Sequence, residues 1–104
     1  VIRNVVLVRL PDPSEQPDPA AREHARAELE AGLAGIAALR LPGQLDVRVG
    51  LDAGLRAGGW SAAITSDWVD EAAYRAYDVD PEHQEYRAQI VAVSTDVARV
   101  QFEA

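Results

Sequence analysis

QLDVRVGL at residues 44–51 and WSAAITSDW at residues 60–68 decide the fold, because they are two strands in succession with a helix-forming stretch on either side. In the first, Leu45, Val47, Val49 and Leu51 alternate with Asp46, Arg48 and Gly50. That is the period-two pattern of a strand with one face in the core. The segment between them, DAGLRAGG at residues 52–59, is rich in glycine but holds neither GxGxxG nor GxxxxGK[ST]. It reads as a hairpin loop and not as a phosphate cradle.

Working outward, Pro42-Gly43 stops a helix that starts at Asp18-Pro19, an N-cap followed by proline at the first helical position. The helix runs to about Leu41. Ala25, Leu29, Leu33, Ile36 and then Leu39 or Arg40 recur at three- and four-residue spacing and form its buried stripe. Gly32 and Gly35 predict a bend or a close approach in its later part. Before it, IRNVVLVRL at residues 2–10 is a β-branched strand ended by Pro11, and residues 11–18 form a loop with three prolines. On the other side, Asp70 caps a short helix containing Ala73, Tyr74 and Tyr77. Asp80-Pro81 repeats the cap-and-proline signal for a second helix with Tyr86, Ile90 and Val93 on one side. VARVQFE at residues 97–103 is the last strand.

The order is β-α-β-β-α-β, with the second helical segment broken at Val79-Asp80-Pro81. It predicts one ferredoxin-like α+β domain over residues 1–104, a four-stranded antiparallel sheet with helices on one face. Ile2, Val6, Val8, Leu45, Val47, Val49, Ile64, Trp68, Val100 and Phe102 are expected on the helix side. Val5, Leu7, Ala63 and Val97 are expected near the middle of the opposite face, ringed by Arg3, Arg9, Arg48, Asp67, Arg99 and Glu103. No helix remains to cover that face, whose area is on the order of 400 Å². Pairing with a second copy across a two-fold axis is the favoured cover, and arginine stems lying over the apolar centre are the alternative.

Composition excludes several classes. At 104 residues there is room for one core. Hydrophobic residues at 48% and charged residues at 26% mark a globular chain, not a disordered one. A net charge of -7, with ten Arg spread along the chain and no Lys, argues against nucleic acid and against an anionic membrane surface. The absence of Cys removes disulfides, thiolate metal sites and cysteine nucleophiles. Val1 to Leu10, interrupted by Arg3 and Arg9, is too short for a membrane span, and a cytoplasmic protein is expected.

VIRNVVLVRL at residues 1–10, LRLPGQLDVRVGLD at 39–52 and above all DEAAYRAYDVDPEHQ at 70–84 resemble the stress-responsive A/B barrel (Dabb) family. The Y-x-x-Y-x-x-x-P-E-H-Q pattern from Tyr74 to Gln84 is the most specific part, and the likeness runs from Val1 to about Glu103. The resemblance implies a dimeric α+β barrel in which two sheets face each other. Many members are known only as stress-induced proteins. One plant branch is a polyketide cyclase that works without metal or organic cofactor, using a Tyr and a His that correspond by motif position to Tyr77 and His83. Two further pocket histidines of that cyclase fall at Asn4 and Ala62, and this sequence lacks both.

Chemistry at these positions also follows from the residues themselves. His83 lies three residues after the Asp80 cap, where the positive helix end favours neutral imidazole over imidazolium. Tyr77, just before the helix break, is placed to polarise a carbonyl or to orient His83. Asn4 is a polar group on an apolar wall and needs partners there. The expected site is therefore Tyr77 and His83 as acid/base groups, with Asn4, Val6, Ala62, Trp60 and Tyr74 as binding residues and Trp60 at the pocket mouth. The bland reading makes Tyr74 and Tyr77 core residues and His83 a surface group. Asp78, Asp80, Glu82 and His83 suggest a divalent-metal site only weakly, since Asp80 is expected to serve as a cap. No metal and no cofactor are expected. His24, beside Glu23 and off the buried stripe, is expected in solvent.

Three functions compete. The first is a homodimeric Dabb protein that binds a small apolar ligand in a pocket between sheet and helices, with cofactor-free acid/base chemistry. The second is a non-enzymatic dimer whose role is structural or in stress stability. The third is a monooxygenase-like barrel, which needs a pocket large enough for an aromatic polyketide or haem.

Overall fold

In the computed structural model, which describes residues 1–104, the elements follow as β1 (Ile2–Arg9), α1 (Pro19–Ala38), β2 (Gln44–Leu51), β3 (Ala62–Trp68), α2 (Glu71–Asp78), α3 (Pro81–Val93) and β4 (Asp96–Glu103). All three helices start on an aspartate cap. The Asp18 carboxylate accepts from the Ala20 amide at 3.0 Å, Asp70 from Ala73 at 2.8 Å and Asp80 from His83 at 2.9 Å. Helix α1 ends at Ala38, earlier than the sequence suggests, because the backbone of Leu39 is extended. The Gln44 side chain replaces the missing helical bonds: its Nε2 donates to the Leu39 carbonyl and its Oε1 accepts from the Leu41 amide, each at 3.0 Å.

The sheet has the order β2-β3-β1-β4 with every neighbour antiparallel, the ferredoxin-like arrangement expected. Across β1, Asn4 pairs with Ser66 of β3 and Gln101 of β4, and Val6 pairs with Ile64 and Arg99. The core lies between this sheet and α1 and α3. Val8, Leu29, Leu33, Ile36, Ala62, Ile64 and Ile90 form its main part, and Leu39, Trp68 and Tyr77 a second part at one end. Burying each such Leu or Ile contributes about 1.5–3 kcal/mol. Gly32 and Gly35 serve close packing: a Cβ at Gly32 would lie 2.5 Å from the Ile90 side chain, and one at Gly35 would enter the Tyr86 ring.

Two expectations about the sheet faces are corrected. Strand β4 has the opposite phase: Val97 packs on the core, Arg99 and Gln101 share its helix side, and Val100 and Phe102 turn outward with 52% and 45% exposure. Apolar residues of both parities in VARVQFE leave its pattern ambiguous. The phase is set by pairing with β1 and by Thr95, whose amide donates to the Arg9 carbonyl at 2.8 Å. Leu45 also leaves the core. A bulge between Gln44 and Asp46 shifts the register there, and Leu45 is 56% exposed. The helix-free face therefore carries Val5, Leu7, Ala63, Val100 and Phe102, and beside them Arg3 clasps Asp67 through two bonds of 2.8 and 3.0 Å.

Candidate functional site

The break at Val79-Asp80 separates α2 from α3, and Tyr77 in the last turn of α2 meets His83 in the first turn of α3. This brings His83 against Tyr77 and Tyr77 against Trp68. The rings form a stack, with Trp68 and Tyr77 centroids 4.4 Å apart and Tyr77 and His83 centroids 3.9 Å apart, inclined by 28° and 30°. Tyr77 thus orients the imidazole by ring contact. Tyr74, one helical turn earlier, tilts towards Tyr77 at 6.1 Å.

His83 is 5% exposed, and its Nδ1 is buried with no hydrogen-bond partner. Burial first, and the nearby Arg87 guanidinium second, hold its pKa below the usual imidazole value; the backbone carbonyls of Asp78 and Tyr77 oppose them. The ring is therefore neutral near pH 7. Burial also pushes the phenols of Tyr77 and Tyr74 up, assisted by Tyr74 in the first case and by the Asp78 carboxylate in the second. Both remain protonated donors.

Asn4 lies on the facing wall. Its Nδ2 donates to Ser66 Oγ at 3.2 Å and its Oδ1 accepts from Gln101 Nε2 at 2.9 Å, while Trp68 Nε1 donates to the same Ser66 Oγ at 2.9 Å. One Asn4 amide hydrogen is left over from these bonds. The Ser66 hydroxyl links this side of the site to the aromatic stack.

Between these groups is a cavity of about 40 Å³. Its floor is Val6, Val8, Ile36, Ile64, Ile90 and Val97; Asn4, Tyr77 and His83 are its polar walls; Tyr74, Asp78, Arg87, Val91 and Arg99 complete the lining. Such a volume admits one or two waters or the end of a small molecule. Of the expected site residues, Asn4, Val6, Tyr74, Tyr77 and His83 meet here. Ala62 and Trp60 do not. Ala62 is packed in the core, its Cα partner being Val8. Trp60 precedes β3 and lies under the Arg9 guanidinium, 4.3 Å from the ring centre, so it cannot gate this cavity.

Arg87 and Arg99 line the cavity and Gln101 bonds to Asn4, and sequence reasoning placed none of the three here. Arg87 Nη1 donates to Asp78 Oδ1 at 2.7 Å. The signal for β4 lay in polar complementarity: only the observed phase puts Gln101 across from Asn4. No group of three or more metal-ligating side chains occurs. Asp80 is used as the cap of α3, and Asp78 is paired with Arg87. No helix is long and apolar enough to cross a membrane.

The family model described as Stress responsive A/B Barrel Domain (Dabb) matches residues 2–104. The chain belongs to the Dabb family. Among solved structures it is similar to a dimeric ferredoxin-like protein of unknown function from Thermobifida fusca, at 30% identity and a TM-score of 0.73, covering 99% of this chain and 90% of that one. A dimeric ferredoxin-like protein of unknown function from Bacteroides fragilis is similar at 18% identity and a TM-score of 0.75, covering 99% and 95%. SnoaB, a cofactor-independent oxygenase from Streptomyces nogalater, is similar at 21% identity and a TM-score of 0.60, covering 99% and 91%. The last two likenesses speak to the fold alone. No curated protein matches the chain.

Proposed function

We propose that this Dabb protein binds a small, mostly apolar carbonyl compound in the cavity beside His83 and moves a proton on it without a cofactor. The observation that carries the reading is His83: a buried, neutral imidazole lining a mainly apolar cavity, with Nδ1 unpartnered. A neutral imidazole in such a place is a general base. In the proposed step the bond from hydrogen to the carbon beside the carbonyl breaks, and His83 takes the proton. The electron pair moves onto the carbonyl oxygen as an enolate, which accepts from the spare Asn4 amide hydrogen or a tyrosine hydroxyl. Return of that proton from His83 to carbon restores the ketone; alternatively the enolate carbon attacks a second carbonyl, and the same proton passes to the new alkoxide to give a cyclic aldol.

The homodimer in this reading forms through the helix-free sheet face. Val5, Leu7, Val100 and Phe102 supply the apolar centre and Arg3, Arg9 and Asp67 the rim, a composition suited to sheet-on-sheet packing. A cytoplasmic setting fits the acidic, cysteine-free composition. The test is deuterium uptake by small ketones such as 2,5-hexanedione in D₂O, followed by NMR. Uptake above background with the wild type and its loss in His83→Phe is the expected result. Equal uptake in both, or none in either, refutes the assignment of His83 as the base. The small cavity favours a second reading, in which the dimer itself is the functional object. An oxygenase reading requires the cavity to open wide enough for an aromatic ring system or haem.

A further inference from the structure

The charged groups at the cavity are unequal in a way that identifies one end of the ligand. Three ionisable side chains other than His83 and the tyrosines line it: Asp78, Arg87 and Arg99. Asp78 and Arg87 satisfy each other at 2.7 Å. Arg99 takes part in none of the chain's ion pairs, which are those of Val1, Arg3, Arg9, Arg26, Arg48, Arg75 and Arg87. Arg22, Arg40 and Arg56 are likewise in none of these pairs, and of the four only Arg99 lines the cavity. Arg99 is also not on the helix-free face with the other sheet arginines. It sits opposite Val6, on the helix side of β4, between Val97, which also lines the cavity, and Gln101, which bonds to Asn4.

Resting on the reading of the cavity as a carbonyl site, we infer that its ligand is a short oxo-carboxylate. The carboxylate is held by Arg99 at the mouth, and the keto end enters towards His83 and Asn4. An unpaired guanidinium presents a donor fork suited to a planar carboxylate. The apolar floor suits the chain that joins the two groups. The volume agrees: about 40 Å³ takes the acetyl end of such a molecule and leaves the charged end outside, at the arginine. Tyr74, half-buried beside the mouth, provides a neutral hydroxyl that does not repel the carboxylate.

The probes are 4-oxopentanoate and 2,5-hexanedione, which share the acetyl end and length and differ in the charge of the other end. Dissociation constants are measured by NMR shift changes of the wild-type protein, at low and at physiological salt. The expected result is at least tenfold tighter binding of 4-oxopentanoate, weakened by salt. Arg99→Met is expected to lose that tenfold preference while leaving 2,5-hexanedione within twofold, and Arg99→Lys to keep part of it. Equal binding of the two probes overturns the inference and leaves the carbonyl site standing, as does unchanged 4-oxopentanoate binding in Arg99→Met. Binding of neither probe overturns both. A far-UV spectrum matching wild type shows that the exposed position tolerates the changes.

Discussion

The neutrality of His83 has a thermodynamic consequence that can be measured without any ligand. In the unfolded chain its imidazole titrates near pH 6.5. In the folded chain it does so lower, because burial and Arg87 disfavour the cation. Above pH 6.5 neither state carries the proton and the residue makes no difference. As the pH falls below 6.5 the unfolded state binds a proton that the folded state refuses, so stability falls with falling pH until the folded-state pKa is reached. The ceiling is one proton, about 1.4 kcal/mol per pH unit. Water at the cavity mouth screens part of this, so the loss between pH 7.5 and 5.5 is at most about 1.4 kcal/mol relative to a non-titrating residue. His83→Phe keeps a ring against Tyr77 and removes the titration. Urea unfolding of both proteins, followed by far-UV circular dichroism at one fixed protomer concentration, reads the difference. With a slope of about 1–2 kcal/mol per molar urea, the two midpoints are expected to draw apart by up to roughly 1 M over that range. If the wild-type minus His83→Phe stability is flat from pH 7.5 to 5.5, His83 is an ordinary hydrated imidazole and its assignment as a neutral base is wrong.

Two further outcomes test other parts of the molecule. Ser66→Ala removes the one acceptor shared by Asn4 and Trp68; leaving buried donors without partners costs about 1–3 kcal/mol, measured as a urea midpoint shift, and no shift would mean that water replaces the hydroxyl. Phe102→Asp puts a charge on the proposed dimer face and is expected to give monomers by analytical ultracentrifugation at micromolar concentration, whereas an unchanged dimer would place the interface elsewhere.

The fold was legible because its signals were local and repeated. Three Asp caps, two of them followed by proline, mark helix starts regardless of tertiary context. The alternation in β2 and the Tyr74–Gln84 pattern gave the hairpin and the family. The faces of β4 were not legible, because Val97, Val100 and Phe102 offer apolar residues to both sides. Only the partner strand and the Thr95–Arg9 bond select between them. That single phase error hid Arg99 and Gln101 from the site and understated the apolar character of the helix-free face. Trp60 was misplaced for a related reason: strand β3 begins at Ala62, and the alternation does not extend back to it. Asn4, Tyr77 and His83 come together through two separate turns of chain, and their meeting was suggested by the family motif more than by spacing.

The ring stack gives the site an optical reporter. Of the two tryptophans, Trp68 has no exposed surface and is linked to His83 through one phenol ring, whereas Trp60 lies partly in solvent beneath Arg9. The Tyr77 ring lies between the imidazole and the Trp68 indole, and the Ser66 hydroxyl bonds to both Asn4 and that indole. Trp60→Phe therefore leaves one emitter whose colour and intensity follow the occupancy of the cavity, so that candidate compounds can be screened by fluorescence before any reaction is known.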